Sequence, residues 1–313
     1  MNPFTGIYGA ASALRNSLFD HGTLPAKRLQ RPVVSVGNLS VGGAGKTPFV
    51  IALGEMLKAR GIRFDVLSRG YGRKTRGALV VEANGGATDF GDEPLLITRR
   101  LDVPVVVGES RYAAGQLAEA KFASQVHILD DGFQHRSLAR DFDIVLVSDR
   151  DFEDRLLPSG RLREPLASLA RAHAIVLPSE SAAAHPALQG KLIWRVKREI
   201  VIANAPASPV VFCGIAHPEQ FFAQVRAAGI QPVAEIAFRD HHRYNQRDIE
   251  KLLAASTQRS AGGFLTTEKD AVNFGQLQES LKPLVLAVLN TAPAPSDIVD
   301  TILNRIGILS PQS

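Results

Sequence analysis

A glycine-rich turn between a short apolar run and a helical pattern constrains the fold of this chain more than any other feature. The apolar run VVSVGN covers residues 33–38, the turn GGAGKT covers residues 42–47, and the helical pattern PFVIALGEMLKA follows. Small residues let the backbone N–H groups of such a turn approach phosphate oxygens, and the helix directs its positive N-terminus at them. A strand, this turn and a helix in succession predict a nucleotide phosphate-binding loop within an α/β fold.

The predicted ATP-binding loop runs from position 40 to position 47. Its residues are Ser40, Val41, Gly42, Gly43, Ala44, Gly45, Lys46 and Thr47. We expect the Lys46 ammonium group to neutralise the β- and γ-phosphates and the Thr47 hydroxyl to take part in a Mg²⁺ site. The usual motif G-x-x-x-x-G-K-[ST] has a glycine where this chain has Ser40, so the loop is a variant. A purely structural glycine turn is the alternative interpretation.

Apolar runs typical of strands alternate with helical patterns from residue 33 onward. This alternation predicts a mostly parallel sheet with helices on both faces, and ligands of such sheets bind at the carboxyl ends of the strands. We expect a first domain over residues 1–190, which begins with a helix at about 4–20. A linker over 191–208 follows, in which 191–204 reads as a pair of strands, and residues 209–313 are predicted to form a smaller α/β domain.

Two adjacent acids, Asp130 and Asp131, follow the apolar residues 126–129 at the end of a predicted strand. Neighbouring carboxylates repel each other unless a cation or a proton lies between them. With a phosphate-binding loop upstream, we predict that they help to hold Mg²⁺. A solvated turn is the alternative.

Transfer of a phosphoryl group to an alcohol also needs a base for the hydroxyl proton. Asp92 and Glu93 precede the helical pattern PLLITRRL, and His241 lies in the polar segment FRDHHRYN after a predicted strand. A histidine–carboxylate pair facing the loop across a cleft would supply a base and a group that orients it. On pattern alone, the two acids are equally typical of a helix N-terminus, and the histidine of a solvated loop.

Two arginine- and glycine-rich segments follow predicted strands. The first, LSRGYGRKTRG, contains Tyr71, and the second, LPSGRLREP, contains Arg163 and Glu164. Guanidinium groups bind phosphate in a bidentate manner, so these loops suit a phosphorylated ligand. Taken singly, each is also compatible with ordinary solvated arginines.

Composition narrows the class of protein and its partners. The single cysteine, Cys213, excludes an internal disulfide framework and fits a reducing compartment, and no apolar run reaches 18 residues. The net charge of +5 predicts an anionic partner. Apolar residues at helical spacing over 4–19, followed by basic residues, indicate either a helix at an anionic membrane surface or a helix packed on its own domain.

Eight motifs in order carry a resemblance to a known family over most of the chain. They are VGNLSVGGAGKTP, SRGYGR, GDEP, ILDDGFQH, LLPSGRLREP, FCGIA, DHH.Y and TTEKD. Together they resemble the tetraacyldisaccharide 4′-kinases of lipid A biosynthesis, in which the first loop glycine is not required. The resemblance implies transfer of the ATP γ-phosphate, with Mg²⁺, to the 4′-hydroxyl of a tetraacylated glucosamine disaccharide 1-phosphate, which yields lipid IVA.

The resemblance also implies roles for individual residues. The catalytic aspartate falls on Asp92, assisted by His241, with Lys46 at the phosphates. The Mg²⁺ ligands fall on Thr47, Glu93, Asp130 and Asp131, and the substrate-binding residues on Tyr71, Gln134, His135, Arg163 and Glu164. A peripheral protein on the cytoplasmic face of the inner membrane is implied, with the anionic membrane surface and the lipid as partners, and we expect a monomer.

The main alternative is a nucleotide-driven switch that acts through a protein or membrane partner. Val41 stands where partitioning ATPases carry a signature lysine, which argues against that subtype. Asp270 follows Lys269 directly, so the guanine-reading motif N/T-K-x-D is absent. Basic residues are spread over loops and aromatic residues make up 6% of the chain, so we expect no nucleic-acid partner.

Overall fold

The computed structural model describes residues 3–308. Within that range twelve strands form one sheet in the order β10-β9-β11-β12-β8-β7-β6-β1-β5-β2-β4-β3. The strands are β1 (Val33–Asn38), β2 (Phe64–Ser68), β3 (Leu79–Val80), β4 (Val105–Val107), β5 (Val126–Asp130), β6 (Phe142–Leu146), β7 (Ala174–Pro178), β8 (Leu192–Val201), β9 (Val210–Cys213), β10 (Ala234–Ala237), β11 (Phe264–Thr267) and β12 (Leu284–Ala294). The helices are α1 (Pro3–Asp20), α2 (Lys46–Ala59), α3 (Ala87–Phe90), α4 (Asp92–Leu101), α5 (Arg111–Lys121), α6 (Pro218–Ala227), α7 (Gln246–Gln258), α8 (Glu268–Ala271) and α9 (Ile298–Arg305).

The central strands are parallel and buried. β1 lies between β5 and β6 and runs parallel to both, while β2 joins the other side of β5. Every residue of β1, β2 and β5 is buried, as expected for apolar runs covered on both faces. Since parallel strands end at the same edge of a sheet, the segments after these three strands lie near one another.

Helices cover both faces of the sheet because alternate strand residues point to opposite sides. Val34 and Val36 of β1 pack in one apolar cluster with residues of α2, α4 and α9, whereas Val33 packs with residues of α5. The strands β9 and β11 are likewise covered by α6 on one side and α7 on the other. The predicted α/β class and the predicted layering are therefore confirmed.

One detail of the predicted linker is wrong. Residues 191–204 do not form a pair of strands, because β8 is a single strand of ten residues. Its antiparallel partner is the second half of β12, with Arg198 opposite Thr291, and its other neighbour is the parallel strand β7. The alternation in 191–204 reflects one long strand whose partner lies almost 100 residues later. The boundaries of the two domains stay predictions.

The N-terminal helix forms as predicted and presents apolar residues to solvent. Phe4, Ile7 and Leu14 of α1 are 66%, 66% and 62% exposed. Among residues 3–308, no helix is both long and apolar enough to cross a membrane.

Candidate active site

The segment between β1 and α2 has the backbone of a phosphate-binding loop. The positive φ angles fall on Gly42 and Gly45, at 102° and 78°, conformations that residues with a Cβ rarely adopt. Ser40 is buried and pairs with Leu162, and the N–H of Val41 donates to the carbonyl of Arg161 at 2.8 Å. Ser40 is thus paired like a strand residue and has no positive φ angle, so this position does not require glycine.

The side chain of Asn38, at the end of β1, joins the two cations of the site. Its Oδ1 accepts a hydrogen bond from Lys46 Nζ at 3.0 Å and another from Arg163, while its Nδ2 donates to the Ser40 carbonyl at 2.7 Å. Arg163 also donates to both carboxylate oxygens of Asp131, at 2.9 and 3.0 Å, and Lys46 lies 3.5 Å from Asp131. Asn38 therefore fixes Lys46 and Arg163 relative to the loop.

The acids after β5 have opposite electrostatic surroundings. Burial and the nearby Glu93 and Asp131 carboxylates raise the pKa of Asp130 to about 7. Burial acts in the same direction on Asp131, but hydrogen bonds from Arg163 and the charge of Lys46 outweigh it and lower its pKa to about 2. Asp131 has positive φ, 52°, a strained conformation of the kind found at functional sites.

These acids suit a divalent cation in their chemistry. Among the residues described, no three His, Cys, Asp or Glu side chains are clustered closely enough to hold a metal ion as they stand. However, Asp130 Oδ1 is buried without a hydrogen-bond partner, while Oδ2 accepts from Ser68 at 3.2 Å. A buried, unpaired carboxylate oxygen is a position that a cation stabilises. Asp131 is already engaged by Arg163, so Asp130 is the one of the two aspartates with a buried oxygen that no hydrogen bond occupies.

Asp92 and His241 are in direct contact. His241 Nδ1 lies 2.7 Å from Asp92 Oδ2, and the N–H of Glu93 donates to Asp92 Oδ1 at 3.0 Å. Burial acts to raise the pKa of Asp92, but the contact with His241 and the charge of Lys269 hold it below its usual value. The hydrogen bond to Asp92 raises the pKa of His241. This arrangement is a carboxylate with an imidazole that orients it.

Local backbone geometry brings this pair together. Asp92 is the first residue of α4, directly after Gly91, whose φ of 90° brings the chain against the carbonyl of Tyr71. His241 also has positive φ, 55°, in the turn after β10. The Tyr71 ring lies 5.6 Å from the His241 ring and is 66% exposed. Tyr71 thus lies beside the pair with its side chain exposed to solvent.

The remaining predicted substrate residues lie on the phosphate-loop side. Gln134 donates to the Asn38 carbonyl at 2.9 Å. Burial and neighbouring arginines lower the pKa of His135 to about 4, so this ring is neutral at pH 7. Glu164 is buried and accepts from Asn16 at 2.8 Å and from Arg171 at 2.7 Å. Glu164 is therefore hydrogen-bonded to Asn16 of α1. Its neighbour Arg163 instead binds Asp131 and Asn38.

Helix α1 supports the loops that carry these residues. Tyr8 donates to the Arg163 carbonyl at 2.9 Å, and Arg15 donates to the Gln134 carbonyl at 2.9 Å. Arg136, next to His135, donates to the Asn16 carbonyl at 2.9 Å. The helix that exposes an apolar stripe on one side thus contacts both candidate substrate-binding loops on the other.

Three residues near the loop and the pair were not among the predicted site residues. Asn38 is buried at the centre of the cation cluster, and Lys269 Nζ lies 3.4 Å from His241 Nε2. Arg198 of β8 donates to the Ala44 carbonyl at 2.9 Å, and burial lowers its pKa. Asn38 and Lys269 stand in two of the motifs that carry the family resemblance, which was the available signal. Arg198 had none, because its partner strand could not be inferred.

A variant phosphate-binding loop at the end of a central parallel strand, together with a carboxylate–histidine pair, is typical of P-loop phosphotransferases. The family model described as tetraacyldisaccharide-1-P 4′-kinase (LpxK) matches residues 1–307. The chain therefore belongs to the tetraacyldisaccharide 4′-kinase family.

Individual relatives agree over almost their whole length. A tetraacyldisaccharide 4′-kinase of Koribacter versatilis is 46% identical over 97% of this chain and 99% of its own. A tetraacyldisaccharide 4′-kinase of Aquifex aeolicus is 39% identical over 86% of this chain and 88% of its own. A crystal structure of the Aquifex aeolicus LpxK in complex with ATP matches with a TM-score of 0.83, 35% identity and 97% coverage of both chains.

Proposed function

We propose that the chain is an ATP-dependent kinase that transfers the γ-phosphate of ATP to the 4′-hydroxyl of tetraacyldisaccharide 1-phosphate and so forms lipid IVA. Membership of the family supports the reaction, and the ATP complex of a relative with the same fold supports the nucleotide. The single observation that carries the mechanism is the contact of Asp92 with His241.

In this mechanism residues 40–47 bind the ATP phosphates. Asp92 accepts the proton of the 4′-hydroxyl, and His241 holds the carboxylate in position. The 4′-oxygen then bonds to the γ-phosphorus as the bond to the β,γ-bridging oxygen breaks, and ADP leaves. Lys46 balances the charge that develops on the transferred group. The reaction requires the C-terminal part of the chain to dock on the N-terminal part, because the C-terminal part carries His241.

A bound Mg²⁺ would supply Lewis-acid stabilisation of the phosphates. Thr47, Glu93, Asp130 and Asp131 are the residues of this chain that would hold it. Of the two aspartates, Asp130 is the one whose buried oxygen lacks a partner. Tyr71, Gln134, His135, Arg163 and Glu164 are proposed to form or support the binding site of the lipid disaccharide.

We also propose that the protein acts as a monomer bound peripherally to the cytoplasmic face of the inner membrane. The stripe of Phe4, Ile7 and Leu14 is exposed on α1, and each large side chain buried in a bilayer interface contributes about 1.5–3 kcal/mol. The chain's net positive charge favours an anionic leaflet. The lipid substrate would then reach the loops that α1 contacts.

The proposal is tested by transfer of label from γ-labelled ATP to tetraacyldisaccharide 1-phosphate in mixed micelles. We expect a labelled bisphosphorylated lipid. Lipid that already carries a 4′-phosphate is the matched control and should take up no label. Absence of labelled lipid, with ATP still bound, would reject the kinase and favour the switch.

A further inference from the structure

Lys269 lies next to the Asp92–His241 pair. Its Nζ is 3.3 Å from Asp240 Oδ1, 3.4 Å from His241 Nε2 and 3.9 Å from Glu93 Oε1. Like an ordinary lysine, Lys269 is an ammonium ion at neutral pH, and the Asp240 and Glu93 carboxylates beside it are oppositely charged. An ammonium ion donates hydrogen bonds and accepts none.

The position of Lys269 is fixed by its neighbour Asp270. Asp270 is buried and accepts hydrogen bonds from the N–H of Gly214 at 2.7 Å, the hydroxyl of Tyr244 at 2.8 Å and the hydroxyl of Thr267 at 2.6 Å. These bonds attach α8 to the turn after β9 and to the segment that contains His241. Lys269 and His241 are therefore held on one framework.

The other neighbour, Glu268, attaches α8 to the helix that carries Asp92. Its carboxylate pairs with Arg100 of α4 at 2.6 Å, with both side chains largely buried. Since α4 begins at Asp92, α8 is tied at one side to the carboxylate of the pair and at the other to its imidazole. Lys269 projects from between these two attachments.

This geometry determines which ring nitrogen of His241 carries the proton. An ammonium ion can only donate, so the contact between Lys269 Nζ and His241 Nε2 is a hydrogen bond only when Nε2 accepts; Asp240 Oδ2, the other charged group near Nε2, lies at 3.8 Å, beyond hydrogen-bond distance. In a neutral ring the proton then lies on Nδ1, which donates to Asp92 Oδ2. We propose that Lys269 is a positioning residue of the phosphoryl transfer, which holds His241 in the Nδ1–H form so that the Asp92 carboxylate stays oriented. The inference rests on the proposed function for its catalytic consequence but not for the tautomer itself.

The test combines ¹⁵N NMR of His241 with kinetics. The spectrum is recorded on the alkaline side of the His241 titration, where the ring is neutral, and there we expect the wild type to carry its proton on Nδ1 with a bare Nε2. In Lys269→Met we expect the Nε2–H form to become populated and kcat to fall by about 10- to 100-fold, with little change in the KM for ATP. Lys269→Arg keeps the charge and the donor and should recover part of kcat. The exposed Lys282→Met, in the same part of the chain, is the matched control.

The outcomes separate this inference from the proposed function. A proton on Nε2 in the wild type, or an unchanged tautomer and unchanged kcat in Lys269→Met, would overturn the role of Lys269. A wild type that transfers no phosphate to lipid would reject the kinase, while the tautomer measurement would still decide the inference. If Lys269→Met does not fold, which a lowered Tm would show, the wild-type spectrum and the kinetics of Lys269→Arg decide the question.

Discussion

His241 Nδ1 lies 2.7 Å from Asp92 Oδ2, although the two residues are 149 positions apart in the chain. Asp92 begins α4, which packs on the strands around the phosphate-binding loop, and His241 lies in the turn after β10 at the far end of the sheet order. The candidate catalytic pair therefore exists only when the C-terminal part of the chain docks on the N-terminal part.

If the two residues act as a unit, their substitutions should not be additive. We expect Asp92→Asn to lower kcat by about 10²- to 10⁴-fold and His241→Gln by about 10- to 100-fold. The double variant should be no slower than Asp92→Asn alone, because the imidazole has no carboxylate base left to orient. Rates of phosphate transfer for the four proteins complete the cycle. Multiplication of the two losses in the double variant would show that the residues work independently.

We expect Asn38 to affect the KM for ATP, because it positions Lys46. Replacement by alanine removes the oxygen that accepts hydrogen bonds from Lys46 and Arg163. We expect the KM for ATP to rise by about tenfold, since each lost charge-assisted hydrogen bond contributes about 1.5–3 kcal/mol before rearrangement. Asn304→Ala, an exposed change on α9, should leave the KM as in the wild type. An unchanged KM in Asn38→Ala would rule out this positioning role.

We expect His127 to make the free energy of unfolding of the protein depend on pH. Its Nδ1 lies 2.7 Å from Asp65 and its Nε2 3.4 Å from Glu119. Burial acts to lower the pKa of His127, but these carboxylates outweigh it and raise the pKa. A group with a raised folded pKa stabilises fully below its unfolded pKa, about 6.5, and loses that contribution as pH rises through the folded pKa.

The stability difference between wild type and His127→Gln should therefore be largest below about pH 6.5 and shrink towards pH 9. Urea unfolding of both proteins across this range measures the difference. His21→Gln, on the exposed end of α1, is the control. A difference that stays constant or grows with pH would contradict the assigned ionisation.

The apolar stripe of α1 should bind membrane. A Leu14→Glu change places a charge on the stripe, and we expect weaker binding to anionic vesicles by about tenfold or more. Ala13→Glu puts the same charge on another exposed side of the helix and should bind almost as the wild type does. Vesicle sedimentation measures binding. Equal loss in both variants would mean that charge, rather than the stripe, governs membrane attachment.

The sequence was sufficient to predict those strands and helices whose pattern lies within one short segment of the chain. The fully buried runs of β1 and β5 are strands covered on both faces, and their apolar residues are contiguous in the chain. The pairing of β8 with β12 was missed because it joins segments almost 100 residues apart and has no local signature. Asn38 and Lys269 do stand in motifs of the sequence, but their roles were missed because each depends on hydrogen bonds with another segment of the chain.

The most direct test of the account is the site of phosphorylation in wild type and in Asp92→Asn. After reaction with ATP and tetraacyldisaccharide 1-phosphate, mass spectrometry and ³¹P NMR would locate the new phosphate. Asp102→Asn, at the other end of α4, serves as the matched control. We expect a 4′-phosphate from the wild type and the control, with Asp92→Asn slower by about 10²-fold or more at nearly normal ATP affinity. A phosphate elsewhere, or a nearly normal kcat in Asp92→Asn, would contradict it.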